Sequence, residues 1–164
     1  MDWAALWKAL RSSGAPPFLI QLIEHLHTGT TSRVRLRVGG QLPEPFILPD
    51  SGVRQGCVLA PALFYIAIDW ILSSCAGTMG TTVGSSELTD QDYADDAVLF
   101  SDCPSKWPYI PSSFDKAAHT MGLNTSWLKT VIQNLGHEVT PAPVQLQGHI
   151  VESTDRFTYL NSMV

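Results

Sequence analysis

With 164 residues, 45% of them hydrophobic, the chain is long enough for one domain and apolar enough to fill its core. Charged residues are only 15% of the total, against roughly 25% in ordinary globular proteins, so part of the surface is expected to be covered by further protein. The net charge of -5 conceals a split: residues 1 to 60 carry six Lys or Arg against four acids, and residues 61 to 164 carry four against eleven. Phosphate binding on one side and cation binding on the other would fit that split, as would ordinary surface drift. Cys57, Cys75 and Cys103 are odd in number and lack zinc-ligand spacing. That argues against a disulfide framework and reads as reduced thiols. The five histidines form no metal-binding pattern. No signal peptide opens the sequence, and the apolar run Ala62 to Leu72 is short for a bilayer and contains Asp69. A soluble, intracellular protein of cytoplasm or nucleus, with no membrane partner, is the expectation.

Asp2 is placed to cap a first helix with the apolar stripe Trp3, Leu6, Trp7 and Leu10, ending at Ser12-Ser13-Gly14. Pro16-Pro17 opens a second helix, with Phe18, Leu19, Leu22, Ile23 and Leu26 on its apolar face and Gly29 as its stop. From Thr31 the period changes to two. Val34, Leu36 and Val38 alternate with Arg33, Arg35 and Arg37, and Gly39-Gly40 turns the chain towards a partner strand at Phe46 to Leu48. The basic face of that hairpin is either a solvated surface or a phosphate contact. Ser51 to Gly56 reads as a loop, and Pro61 opens a helix to about Ser73 that is apolar on nearly every side. Thr78 to Ser86 reads as a connector, and Leu88 to Phe100 as two short strands meeting at Asp95-Asp96. Pro104, Pro108 and Pro111 delay the next helix to Ser113–Met121, with Gly122 as its C-cap. Strands are expected at Lys129 to Asn134, Val144 to Gln147 and Phe157 to Val164. Without regular βα alternation, this order predicts an α+β fold with helices packed on an antiparallel sheet.

The stretch "DQDYADDAVLF" places four carboxylates within residues 90 to 96 and then runs into an apolar strand. Two adjacent acids at a strand turn repel one another and are costly to desolvate. A hard divalent cation removes both penalties, because it takes oxygen ligands and commonly binds one or two carboxylates together with substrate phosphates. An exposed turn is the plain alternative, since Asp is common in turns.

"YADD" between apolar strands, preceded by "GVRQGCVLAPALF" and followed by "GLNTSWLKT" and "FTYLNSM", resembles the palm of a reverse transcriptase of the non-LTR retrotransposon type. The leading segment "ALWKALRSSGAPPFLIQLIEHLHTGTTSRVRL" resembles the stretch joining that family's first two palm motifs, so the resemblance covers nearly the whole chain. It implies a palm-like antiparallel sheet packed by helices, with residues 1–50 as a connector from fingers to palm and residues 51–164 carrying the palm motifs. It implies two Mg²⁺ ions in the complete enzyme, an RNA template, a DNA primer and deoxynucleoside triphosphates. Asp95 would be a metal ligand with Asp96 as its companion, and Tyr93 would pack under the primer end. Arg54, Gln55 and Gly56 would lie against template and incoming nucleotide, glycine allowing close backbone approach. Lys129 would serve as proton donor or charge partner for the departing pyrophosphate, and Phe157, Tyr159 and Leu160 would form the primer grip. The plain readings are a solvated Lys129 and core positions for Tyr159 and Leu160.

Three positions depart from the family pattern: Asn161 stands for the usual Gly, Ser126 for Asn and Ala60 for Ser. The family's first palm motif, D-x-x-x-A-F-D, is not within the sequence, and Asp2 matches the acid shortly after it. The expectation is therefore a domain truncated at its N-terminus, with two of three carboxylates, no fingers or thumb, low stability and no useful activity in isolation. The rival is a non-enzymatic remnant that binds RNA or a partner protein. An RNA-dependent RNA polymerase fits less well, because those place Gly where Ala94 stands.

Overall fold

The computed structural model describes residues 1–32, 46–47, 51–54, 56–135, 143–146, 148–160 and 162–163. The expected basic hairpin residues Arg33, Arg35 and Arg37, together with Gln55 and Asn161, lie outside the described residues. The chain divides into two compact units, Met1–Trp70 with Thr120–Leu123, and Ile71–His119 with Asn124–Val164.

The first unit opens with α1 (Trp3–Ser12) and α2 (Pro17–His27). The Asp2 carboxylate accepts the Ala5 amide at 2.8 Å, which satisfies one of the amides a helix start leaves open. Leu6, Ala9 and Leu10 form the buried side of α1. On α2 the buried residues are Ile20, Ile23 and His27, whereas Phe18, Leu19, Leu22 and Leu26 are exposed, which corrects the expected stripe. Arg11 and Glu24 tie the helices together by an exposed ion pair at 3.1 Å, a contact worth well under 1 kcal/mol. Thr31–Ser32 (β1) pairs antiparallel with Phe46–Ile47 (β2), so the expected strand partnership forms. Residues 120 to 123 come up against the chain start. The Asp2 amide donates to the Met121 carbonyl at 2.7 Å, and a Cβ on Gly122, which has φ +69°, would lie 2.8 Å from the Asp2 nitrogen.

Helix α3 (Ala60–Cys75) continues into a turn of 3-10 helix, Ala76–Thr78. Leu63, Ala67, Ile68, Ile71, Leu72 and Cys75 form one buried stripe, while Tyr65 and Asp69 are exposed. The helix is thus buried along one side and not all round. By length and composition alone, Ala60–Thr78 is apolar enough to cross a membrane, yet its buried residues fall on a single stripe, as in a core helix.

In the second unit, Thr81–Val83 (β3) and Ser86–Leu88 (β4) pair as a hairpin around Gly84, at φ +64°, where the sequence reads as a connector. Asp90–Tyr93 (β5) pairs with Asp96–Leu99 (β6). Helix α4 (Ile110–Thr120) starts earlier than expected, because Pro111 falls in its first turn, where a missing N–H breaks no helical bond. Val131–Gln133 (β7), Val144–Leu146 (β8) and His149–Thr154 (β9) form a three-stranded sheet in the order β7-β9-β8, with β7 parallel to β9. Ile132 and Val151 are buried there beneath Trp127 and Val144. Thr158–Tyr159 (β10) pairs with Ser162–Met163 (β11). The described elements are helices and small, mainly antiparallel sheets, in keeping with the α+β expectation.

Candidate active site

The acidic turn is a two-residue hairpin loop. Tyr93 pairs with Asp96, Asp92 with Ala97, Gln91 with Val98 and Asp90 with Leu99, so Ala94 and Asp95 are the central loop residues. Ala94 takes φ +56° and Asp95 does not take a positive φ, the sign pattern of a type II′ turn, which usually has Gly first. A left-handed alanine is strained, and it persists only where its surroundings hold it. The turn presents Asp95 at its tip and Asp96 at the first position of β6, with Tyr93 across from it and 63% exposed. Both carboxylates are exposed, and among the described residues neither side chain has an ion pair or hydrogen bond. Asp90, by contrast, accepts a bond from the Thr89 hydroxyl at 2.6 Å.

The two acids offer the kind of donor that a divalent cation takes. Carboxylate oxygens are hard donors that suit a hard cation, and two stand adjacent and unpartnered. Among the described residues no group of three or more His, Cys, Asp or Glu gathers to hold a metal, so the two acids alone do not complete a site.

Tyr159 on β10 adds to the neighbourhood of the acids. Its hydroxyl is buried and, among the described residues, has no hydrogen-bond partner. Desolvation first, and then the negative charge of Asp96 and Asp92, push its phenol above its ordinary value. The hairpin β10–β11 therefore brings one expected primer-grip residue within electrostatic reach of the acidic hairpin. Leu160, at φ +49°, follows in the β10–β11 turn and is exposed, while Phe157 is half-buried just before β10.

Lys129 sits in a single helical turn in which its amide donates to the Ser126 carbonyl at 2.9 Å and the Thr130 amide to the same oxygen at 3.1 Å. Its side chain is exposed and, among the described residues, has no ion pair.

The loop at residues 51–56 belongs to the first unit and is anchored from within it. The Gly52 amide donates to the Met1 carbonyl at 2.7 Å, and the Trp3 indole N–H donates to the Gly52 carbonyl at 2.7 Å. Arg54, read from sequence as a nucleotide or template contact, donates from Nη2 to the Leu26 carbonyl at 3.2 Å while remaining exposed. Gly56 has φ +82° and is exposed. A small cavity of about 140 Å³ lies beside this loop, lined by Trp3, His27, Thr30, Gly52 and Arg54. Sequence reasoning placed Trp3 in a helix stripe and missed its grip on the loop, since an indole donor bonding to a backbone carbonyl far along the chain leaves no local signal.

Residues 1–161 match the family described as Reverse transcriptase (RNA-dependent DNA polymerase). The chain is also similar to the "Retrovirus-related Pol polyprotein from type-2 retrotransposable element R2DM" of Drosophila melanogaster, at 31% identity over 102 residues. That match takes in 62% of this chain and 9% of the length of the relative. The family match spans the motifs around Asp95, Lys129 and Tyr159, and the relative is by its printed name a retrotransposon Pol polyprotein. The chain belongs to the reverse transcriptase (RNA-dependent DNA polymerase) family.

Proposed function

We propose that the chain is part of an RNA-directed DNA polymerase that joins a primer 3′-hydroxyl to the α-phosphate of a deoxynucleoside triphosphate on an RNA template. The observation that supports this most directly is the β5–β6 turn, which holds Asp95 and Asp96 side by side, exposed and unpartnered among the described residues. In this reading those two carboxylates hold Mg²⁺, two ions being present in the complete enzyme. When bound, the cation supplies charge neutralisation at the reacting oxygens. Tyr93, opposite Asp96, supports the primer end, and Phe157, Tyr159 and Leu160 grip the primer strand. Arg54, Gln55 and Gly56 bound the template and nucleotide pocket, with the glycine's bare backbone allowing close approach. Arg33, Arg35 and Arg37 contact phosphates, and Lys129 gives a proton to the leaving pyrophosphate. The palm-like arrangement of the sheets, with residues 1–50 as connector and 51–164 as the motif-bearing part, belongs to the same reading.

Residues 1 to 164 supply two carboxylates of the expected three, so the chain by itself is expected to add no nucleotides to a primer on an RNA template in Mg²⁺. It is expected to bind Mn²⁺ at the turn, seen as paramagnetic broadening of the Asp95 and Asp96 resonances that Asp95→Asn removes. Placing a D-x-x-x-A-F-D strand ahead of Met1 should then yield Asp95-dependent synthesis. No broadening at the turn, or no synthesis by the extended chain despite Mn²⁺ binding, would reject the polymerase reading.

The second reading is a non-enzymatic RNA- or partner-binding remnant. It is favoured by the lack of a three-ligand group among the described residues. Strand binding that is independent of Mn²⁺ and unaffected by Asp95→Asn, with no synthesis by the extended chain, would establish it.

A further inference from the structure

We infer that Trp127 and His149 form a stacking platform for a base of single-stranded nucleic acid. In the three-stranded sheet, Val144 pairs with Val151, Leu146 with His149 and Ile132 with Ser153. Alternation then puts Ile132, Val144, His149 and Val151 on one face. Trp127 packs against the buried pair Ile132 and Val151 of that face, which supports its indole. His149 starts β9 directly after the Gly148 turn and lays its imidazole almost parallel to the indole, with centroids 6.0 Å apart and an interplanar angle of 16°. The other ring contacts among the described residues are tilted or edge-on: Trp3–Trp7 at 41°, Trp3–His27 at 81° and Trp7–His27 at 69°. Only the Trp127–His149 pair among them is close to parallel.

The inner ring of the pair is anchored and the outer one, His149, is exposed. A flat, exposed aromatic on a rigid support is what a single-stranded base stacks upon, whatever its sequence. The turn that carries Trp127 also carries fully exposed Leu128 and exposed Lys129, an apolar contact and a cation beside the platform. A phosphodiester strand offers groups for all three: a π-face, a sugar edge and a phosphate. A protein segment could occupy an apolar surface but does not call for parallel rings. The inference rests on the polymerase reading only in taking the partner to be nucleic acid.

The test compares the full chain as wild type with His149→Ala and His149→Phe. Each is titrated by fluorescence anisotropy with a labelled oligouridylate and with an abasic phosphodiester chain of the same length. His149→Ala should weaken oligouridylate binding by about five- to 150-fold, the range of one lost base stack, and leave the abasic chain unaffected. His149→Phe keeps a stacking ring and should restore binding. Because His149 is exposed, thermal melts of both His149 variants should match wild type. No oligouridylate binding by wild type, equal affinity of wild type and His149→Ala, an equal loss on the abasic chain, or failure of Phe to rescue would each overturn the platform. A protein that stacks bases yet fails the Mn²⁺ test at Asp95 would sink the polymerase reading and leave the platform standing.

Discussion

Single residues in this chain differ most in what their immediate neighbours do to their charge. Asp95 and Asp96 are available because the turn points them outwards and no cation among the described residues neutralises them. The cysteines show the same dependence on neighbours. Cys103 sits 3.0 Å from the Ser105 hydroxyl, and that hydrogen bond, with smaller help from backbone amides and Lys106, holds its thiol below the usual range. Burial pushes the Cys75 thiol up. The thiolate is the nucleophile, so a lowered value means that alkylation sets in at lower pH and a raised one that it waits for higher pH. Iodoacetamide near neutral pH is therefore expected to label Cys103 well before Cys75, as read by mass spectrometry of tryptic peptides. Ser105→Ala should move the rate–pH curve of Cys103 upwards. Equal labelling of the two, or an unmoved curve, would show that the hydrogen bond does not govern the thiol.

At the scale of elements, the acidic hairpin is built against local preference. Alanine at φ +56° in a tight turn costs on the order of 1 kcal/mol, and a β-branched residue there costs more. Ala94→Gly should leave stability unchanged or raise it by up to about 1 kcal/mol, and Ala94→Val should lower it, with urea midpoints as the measure. A fall with glycine as large as with valine would mean that the turn is not left-handed in solution. A second junction is more sensitive. Gly122 combines φ +69° with a backbone contact at Asp2 that a Cβ would meet at 2.8 Å, and the atom it would strike cannot swing away. Gly122→Ala should thus cost about 1–3 kcal/mol, through backbone strain and the displaced Asp2 cap.

The molecule as a whole exposes much apolar side-chain surface. Phe18 is 76% exposed, and Leu19, Leu22 and Leu26 are uncovered with it along α2, at spacings that place them near one another on the helix. Contiguous apolar patches of a few hundred Å² on a soluble monomer mark contact surfaces or aggregation sites. The double variant Leu22→Lys, Leu26→Lys should reduce self-association in light scattering while keeping the melting midpoint, since surface changes typically stay within ~0.5 kcal/mol. A large drop in the midpoint would show that α2 packs through that side.

What could be determined from the sequence alone was whatever depends on neighbours a few residues apart. Asp2 caps α1 and Pro17 opens α2, because a cap and a fixed φ act within one turn. The strands around Asp95-Asp96 form where alternation and the charged pair place them, and the ordered motifs were enough to identify the family. Tertiary structure alone decided which side of a locally symmetric element is covered. Both sides of α2 are apolar, so periodicity chose Phe18, Leu19, Leu22, Ile23 and Leu26, while packing buried only Ile23 of these, together with Ile20 and His27. The connector Thr78 to Ser86 became a hairpin, and β9, which the sequence did not reveal, joins β7 and β8 in one sheet. Arg54 reaches the Leu26 carbonyl, and Trp3 holds Gly52. Each of these depends on a surface supplied by residues distant in the chain, and short-range preferences do not record which surface will arrive.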